Sequence, residues 1–482
     1  MLFNSVSFAL FLPIVFVPYW FATRGDRKFQ NILLLVSSYY FYACWDYRFL
    51  FLLIFSTLLD YVTGIKIYQA EDSLKRKFWL WLSICINLGF LGVFKYYNFF
   101  ASSLAEGLSA LGFKSNFETI NVILPVGISF YTFHGLSYVI DIYKKRIAPE
   151  RNFIDYSVFV SFFPLLVAGP IERATHLLPQ LLKKRTFDYT KAVDGLRQII
   201  WGLFKKVVIA DHCAEYANTI FNNSASYSGS TLVIGALFFT FQIYADFSGY
   251  SDIAIGTARL FGIDLLRNFA FPYFSRDIAE FWRRWHISLS SWFKDYLYIP
   301  LGGSKGGIWM KIKNTFIIFL VSGFWHGANL TFIIWGGLNA LFIMPSIIFN
   351  THRDNLDIVA KGKYLPSIKD VLSIVSTFGL TVFAWIFFRA ESVQQAVAYI
   401  STIASFSIFT IPHFNGIERS LPIVALTIIF MSIEWIGREQ QYAIAQLGLT
   451  RCRAVRWLMY YCIIFAICYY AVKEQQFIYF QF

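Results

Sequence analysis

Two histidines stand in surroundings that suit proton chemistry. His326 lies in Ser322-Gly323-Phe324-Trp325-His326-Gly327-Ala328-Asn329, and between Lys313 and Arg353 the chain carries no Asp, Glu, Lys or Arg. An imidazole titrates close to neutrality, so it can take a proton from a hydroxyl and return it to a leaving group. The glycines on either side let other backbone or a slender ligand come close. An ionisable side chain at bilayer depth is by default a functional candidate. A histidine can equally serve as a hydrogen-bonded link between helices, and position alone does not choose between the two.

His286 lies in Phe281-Trp282-Arg283-Arg284-Trp285-His286-Ile287-Ser288-Leu289-Ser290. Trp282, Trp285 and Leu289 fall at helical spacing and give one apolar face, with Arg283 and Arg284 beside it. Two uses fit this pattern. The Trp and Arg side chains can anchor an interfacial helix at the headgroups, or the arginines can meet an anionic donor. Asp246 and Asp252 interrupt an otherwise apolar helical run. Six residues apart, they do not share a helix face, so they make a poor acid/base dyad or metal pair. Pairing with basic residues inside the bundle suits them better, and no metal site is expected. His134, beside Gly135, falls in an expected span; His176, His212, His352 and His413 fall in or near loops. There is no HExxH, no phosphate-binding loop and no GxSxG elbow, so nucleotide hydrolysis and serine-hydrolase chemistry lack support.

The elements that must position these residues are membrane helices. The chain has 482 residues, 57% of them hydrophobic and only 15% charged, against roughly 25% charged in soluble domains. The 42 Lys and Arg against 29 Asp and Glu give a net +13. The basic residues cluster between apolar runs, as cytoplasmic loops do, rather than forming a nucleic-acid surface; no nucleic-acid partner is expected. Cys44, Cys85, Cys462 and Cys468 lie in apolar runs and are expected to be small buried hydrophobes, while Cys213 and Cys452 lie elsewhere and no CxxC occurs.

Basic clusters at Arg24–Lys28, Lys66–Lys77 and Lys144–Arg151, alternating with external links near Asp46–Arg48 and Ser102–Asn116, fit five spans at about 6–22, 29–45, 49–65, 78–100 and 119–142. The first run, Val6–Ala22, has no preceding charge and no convincing cleavage site, so it is expected as a span with the N-terminus outside. Phe153–Ala168, ending before Gly169-Pro170, is expected as a re-entrant pair of half-helices. Lys191–Tyr216 is helical, yet Lys205 and Lys206 sit in its middle and its placement stays open. Residues 231–261 form a long helix, and Arg267–Lys313 a polar-aromatic insert of amphipathic helices. The uncharged run after Lys313 is expected to hold two half-buried segments meeting near Ser322–Asn329. Spans follow near 368–389, 419–436 and 454–472, with Gln394–Phe409 ambiguous. The fold class is all-α, a single polytopic membrane bundle over 1–482 with about 10 to 12 spans. It divides into N-terminal spans (1–143), a core (144–350) and C-terminal spans (351–482).

Three runs carry a family resemblance: QIYADFSGYSDIAIGT from Gln242 to Thr257, FWRRWHISLSSWFKDYLYIPLGG from Phe281 to Gly303, and GFWHGANLTFIIWGGLNA from Gly323 to Ala340. With the start MLFNSVSF, the stretch Phe163–Arg173 and the ending FIYFQF, they resemble the membrane-bound O-acyltransferases over essentially the whole chain. The similarity is greatest to the bacterial branch of alginate O-acetyltransferases and teichoic acid D-alanyltransferases. The resemblance implies a helical bundle with a central tunnel or funnel, His326 as the essential residue and His286 at the family's second position. It implies an acyl thioester donor, acetyl-CoA or a carrier protein, with no tightly bound cofactor, and a polysaccharide hydroxyl as final acceptor. A periplasmic SGNH-type partner and the bacterial inner membrane complete the picture. Trp325, Asn329, Arg283 and Arg284 are then candidates for substrate contact, the arginines facing donor phosphates. His326 would act as base on the acceptor, and His286 would orient the thioester or stabilise charge on its carbonyl oxygen. A transient acyl-histidine stays open, as does the choice of acyl group. Outside this family, a transporter using His326, Asp246 and Asp252 as a proton relay, or a non-catalytic export subunit, would also fit a polytopic chain.

Overall fold

In the computed structural model, described for residues 1–113, 123–167, 169–447, 452–471, 475 and 477–478, every regular element is helical. Two compact units emerge, one of Met1–Gly195 with Thr257–Leu266, the other of Leu196–Gly256 with Arg267–Phe482. Among the described residues, seven helices are long and apolar enough to cross a membrane. They carry outward apolar side chains too: Val36 on the first and Leu372 on Ile368–Arg389 are well exposed. Cys44, Cys85, Cys462 and Cys468 are exposed as well. This corrects the expectation that they are buried, since an apolar run in a membrane helix need not face protein.

In the first unit, Arg27–Gln69 runs 43 residues, about 65 Å at 1.5 Å per residue, twice the hydrocarbon thickness. Asp46 breaks it with extended backbone (φ −157°, ψ 112°). The nine-residue helix Phe153–Ser161 shows what the break does. Its Asp155 accepts from the Asn31 amide at 2.7 Å, while its Phe153 and Tyr156 rings lie 5.2 and 5.8 Å from Tyr61. A helix about 13 Å long can touch positions thirty residues apart only if the chain folds back at Asp46. The turn expected at Asp46–Arg48 is therefore present, closed by the Asp46 carboxylate, which accepts from the Arg48 backbone and guanidinium.

The run after Asn152 forms two short helices, Phe153–Ser161 and Phe163–Leu166, split at Phe162. Both are buried, and the Phe163 N–H freed by the split donates to Ser38 Oγ at 3.0 Å. Irregular backbone inside a membrane protein needs such cover. The end of the re-entrant run at Ala168 lies outside the described residues, as do positions 119–122 of the fifth expected span and 114–116 of its preceding link. What is described there is the helix Ile128–Tyr143. Helix also continues to Ala110, past the link expected from Ser102, because Ser102–Ala110 holds nothing that stops a helix strongly.

The second unit is organised around Gly229–Leu260, whose 32 residues straddle the two units. The helix ending at Leu203 passes over it so closely that a Cβ on Gly202 would meet the Gly249 carbonyl oxygen at 2.6 Å. The π-helical turn Phe204–Ala210 and the helix Asp211–Asn222 follow. The insert folds into helices Ile278–Arg284 and Ile287–Phe293. Gly307–His326 and Leu330–Ile348 then form a hairpin of 20 and 19 residues. Each spans about 30 Å; the first begins ahead of the uncharged run and carries Lys311 and Lys313, and the two meet in the turn expected near Ser322–Asn329. The helices touch through glycines: a Cβ on Gly323 would lie 2.2 Å from the Phe332 carbonyl oxygen, and one on Gly336 2.2 Å from that of Phe319. Ile368–Arg389 and Ile417–Ile436 are the last of the seven. Val393–Ile403, in the ambiguous stretch, has 11 residues and is too short to cross. The other crossings expected near 6–22 and 454–472 fall on Val6–Ala22 and the 18-residue Arg453–Tyr470.

Candidate active site

His326 is the last residue of its helix, at the hairpin turn rather than midway along a span. Gly327 ends the helix with extended backbone (φ −162°, ψ 151°), and a Cβ there would strike the Phe332 ring at 2.1 Å. Asn329 opens the next helix by accepting from the Thr331 N–H at 3.0 Å, and its amide donates to the Glu391 carbonyl at 2.8 Å. Its side chain therefore fixes the turn. The His326 ring is enclosed by Trp325, Trp335 and Phe388, with centroids at 4.8, 5.2 and 5.3 Å. Trp385 stacks behind Trp335 at 5.6 Å.

His286 sits at the corner between the two short helices of the insert, with left-handed backbone (φ 43°, ψ 53°). For a non-glycine residue this costs about 1–2 kcal/mol, and such strain gathers at functional positions. The ring is buried edge-on against Phe247 at 4.7 Å. Burial drives its pKa down to about 3, so the imidazole stays neutral throughout the physiological range. The Trp325 ring is 6.3 Å from His286 and 4.8 Å from His326, which places the two imidazole centroids within about 11 Å of each other. Two histidines forty residues apart in sequence thus lie within ring-contact distance of one buried indole.

The two aspartates lie elsewhere in the unit, each with a lysine. Asp252 accepts from Lys205 at 2.5 Å and from Gln198 at 2.7 Å. Asp246 is 2.8 Å from Lys206, whose ammonium also lies 2.8 Å from Asp211. The end of the chain reaches the same place. Ile478 N–H donates to Asp246 at 2.8 Å, and the Phe477 ring lies tilted 4.2 Å from Tyr250; residues 479–482 of FIYFQF lie outside the described residues.

Arg283 and Arg284 point away from the histidines. Arg283 donates to the carbonyls of His352 and Asn355, both at 2.8 Å. Arg284 reaches the Asp357 carbonyl at 2.9 Å and the Glu280 carboxylate at 2.8 Å. Arg276 joins them with a 2.8 Å contact to Asp357. Three arginines thus clamp the segment that follows the hairpin. Glu280, which pairs with both Arg276 and Arg284, was legible from its four-residue spacing to each. Asn268 was not. Buried among Ser251, Ile287 and Ser288, it contacts all three, and no spacing rule links position 268 to 286. An apolar groove of about 730 Å³ lies between Gly229–Leu260 and Ile417–Ile436, and neither histidine lines it.

Comparison with known proteins adds to this geometry. A model of the membrane-bound O-acyltransferase family matches residues 145–384. The probable alginate O-acetylase of Pseudomonas aeruginosa is 38% identical over 441 residues, covering 91% of this chain and 82% of that protein. The peptidoglycan O-acetyltransferase of Helicobacter pylori is 36% identical, covering 86% and 82%. The teichoic acid D-alanyltransferase of Bacillus subtilis is 29% identical over 56% of this chain and 70% of its own length.

Proposed function

The chain belongs to the membrane-bound O-acyltransferase family, and on that premise we propose that it carries acetyl groups from a cytoplasmic thioester toward hydroxyls of an extracytoplasmic polysaccharide. It is a multi-pass membrane protein and an O-acyltransferase. Relatives named for acetylating alginate and peptidoglycan match most of the chain, whereas the D-alanyl relative matches little more than half, which favours acetyl. The donor is acetyl-CoA or an acyl carrier protein, and the immediate acceptor is a hydroxyl presented by a periplasmic SGNH-type partner or by the polymer. The basic clusters favour the bacterial inner membrane with the N-terminus outside.

The observation that carries the reading is the pair of buried imidazoles that both contact the Trp325 ring. His326 takes the proton from the acceptor hydroxyl as its oxygen attacks the thioester carbonyl. The new C–O bond forms, the C–S bond breaks, and the proton returns to the departing thiolate. His286 has a different task. An imidazole whose pKa lies near 3 is a poor proton acceptor at neutral pH, but it remains a hydrogen-bond donor for the carbonyl oxygen as charge develops there. The aromatic enclosure keeps water from intercepting the acyl group. A proton-relay transporter fits less well, because Asp246 and Asp252 are both paired with lysines.

The test uses purified protein in detergent with radiolabelled acetyl-CoA and a soluble hydroxyl acceptor. Wild type should transfer label, and His326→Ala should lose at least about 10²-fold, as removal of a general base does. Wild-type turnover in His326→Ala would sink the assignment of the base. Transfer from a carrier-protein thioester but not from acetyl-CoA would change the donor.

A further inference from the structure

The proposed mechanism gives His286 a task that demands exact placement, yet its backbone is left-handed and its own helix has only seven residues. Something outside that helix must hold the corner. Asn268 is buried completely and meets the corner twice. Its backbone carbonyl accepts the Ile287 N–H at 2.9 Å, and its side-chain oxygen accepts the Ser288 hydroxyl at 2.5 Å. Its amide N–H₂ donates in turn to Ser251 Oγ, on the long helix Gly229–Leu260, at 3.0 Å. Two residues before His286, the Arg284 carbonyl accepts from Ala270 N–H at 2.9 Å. The segment Asn268–Ala270 therefore runs alongside 284–287 and bonds to both sides of His286. Phe247, four positions before Ser251 on the same helix, packs edge-on against the imidazole. One helix thus fixes the ring through Phe247 and the backbone through Ser251 and Asn268.

The geometry points to Asn268 as a positioning residue for His286: it ties the strained corner that carries this imidazole to the Gly229–Leu260 helix. The catalytic consequence rests on the proposed acyl transfer, whereas the structural consequence does not. The side chain must both accept and donate at once. Alanine keeps the backbone bond to Ile287 but loses the other two. It would also open onto a small polar cavity of about 20 Å³, lined by Lys205, Ser248, Ser251 and Arg267 among others. That space is large enough for one water, so truncation should fill with solvent rather than collapse.

Two readouts test this. Hydrogen exchange of the full-length protein in detergent, followed on peptides covering 285–290, should speed up at least about tenfold in Asn268→Ala while peptides of the Leu330–Ile348 helix stay unchanged. Wild-type exchange at the corner would overturn the proposal whether or not acetyl transfer is observed. Turnover is then measured for Asn268→Ala, His286→Ala and the double variant. A positioning residue acting through His286 should cost roughly 10- to 100-fold in kcat with little change in donor KM. It should cost almost nothing further once His286 is gone. Multiplying losses in the double variant would show that Asn268 acts elsewhere. If Asn268→Ala does not fold, Ser288→Ala removes the 2.5 Å contact from its other end and is read in the same two ways. Absence of turnover in wild type would count against the acyl-transfer reading, and the exchange result would still decide the placement of the corner.

Discussion

Lys206→Met isolates the energetic role of the buried charge cluster. The Lys206 ammonium is 1% exposed, stands 2.8 Å from both Asp211 and Asp246, and also donates to the Gln475 carbonyl at 3.2 Å. Methionine preserves the length and apolar stem of lysine but leaves two buried carboxylates without their cation. Breaking one buried pair from one side costs about 3–5 kcal/mol. Lys205→Met should cost less, because its partner Asp252 is 13% exposed and keeps the Gln198 amide at 2.7 Å. Thermal unfolding in detergent should show Lys206→Met falling by on the order of 5–10 °C, with Lys205→Met between it and wild type. Adding Asp246→Asn to Lys206→Met should recover part of the loss, because it removes one of the stranded charges. Asp246→Asn alone should destabilise, since it weakens an intact pair. The argument fails if Lys206→Met melts within a degree of wild type, or if Asp246→Asn lowers the melting temperature further in the Lys206→Met background.

Other outcomes follow from single contacts. Gly323→Ala and Gly336→Ala place a methyl within 2.2 Å of facing carbonyl oxygens, whereas Gly337→Ala meets only a Leu320 methyl at 3.8 Å. The first two should cost about 1–3 kcal/mol and most of the turnover, and the third little, in paired unfolding and transfer assays; equal behaviour of all three would refute the close packing. Arg283→Ala should release the segment holding His352 and Asn355, so tryptic cleavage after Arg353 should rise at least about fivefold. A raised donor KM with unchanged cleavage would instead place the guanidinium on the donor. The Glu172 carboxylate, 2.7 Å from His176, raises that imidazole's pKa chiefly by hydrogen bonding. This contribution is fully present below the unfolded pKa, about 6.5, and is lost as pH rises through the higher folded value. Wild type should therefore lose some stability from pH 6.5 upward, and His176→Gln should flatten that slope; identical slopes would refute it.

What the sequence made legible is local and periodic. The turn at Asp46 was visible because basic clusters and apolar lengths demanded it, and the split near Phe162 because a short run ended in Gly169-Pro170. His326 and His286 were visible through their surroundings, though not their proximity, since only packing of the insert against the hairpin brings His286 to Trp325. Lys205 and Lys206 left their helix's placement open because, Asp211 apart, their partners lie forty or more residues later, at Asp252 and Asp246. Arg283 and Arg284 looked ready for phosphates because the carbonyls they hold, at His352, Asn355 and Asp357, belong to a segment with no periodicity. Asn268 escaped for the same reason: its meaning lies in three hydrogen bonds that cross the sequence.

The ending of the hairpin helix at His326 sets unequal limits on how this region can change length. On the N-terminal side the imidazole is rigidly tied to the turns that bear Gly323. One residue inserted between Gly323 and His326 would swing the ring by about 100°, out of its aromatic enclosure. On the C-terminal side the extended Gly327 already interrupts the helix. An extra residue between Gly327 and Asn329 would lengthen the connection without rotating the histidine. A length change just before His326 therefore misdirects the imidazole itself, whereas one after Gly327 acts on the turn that Asn329 fixes.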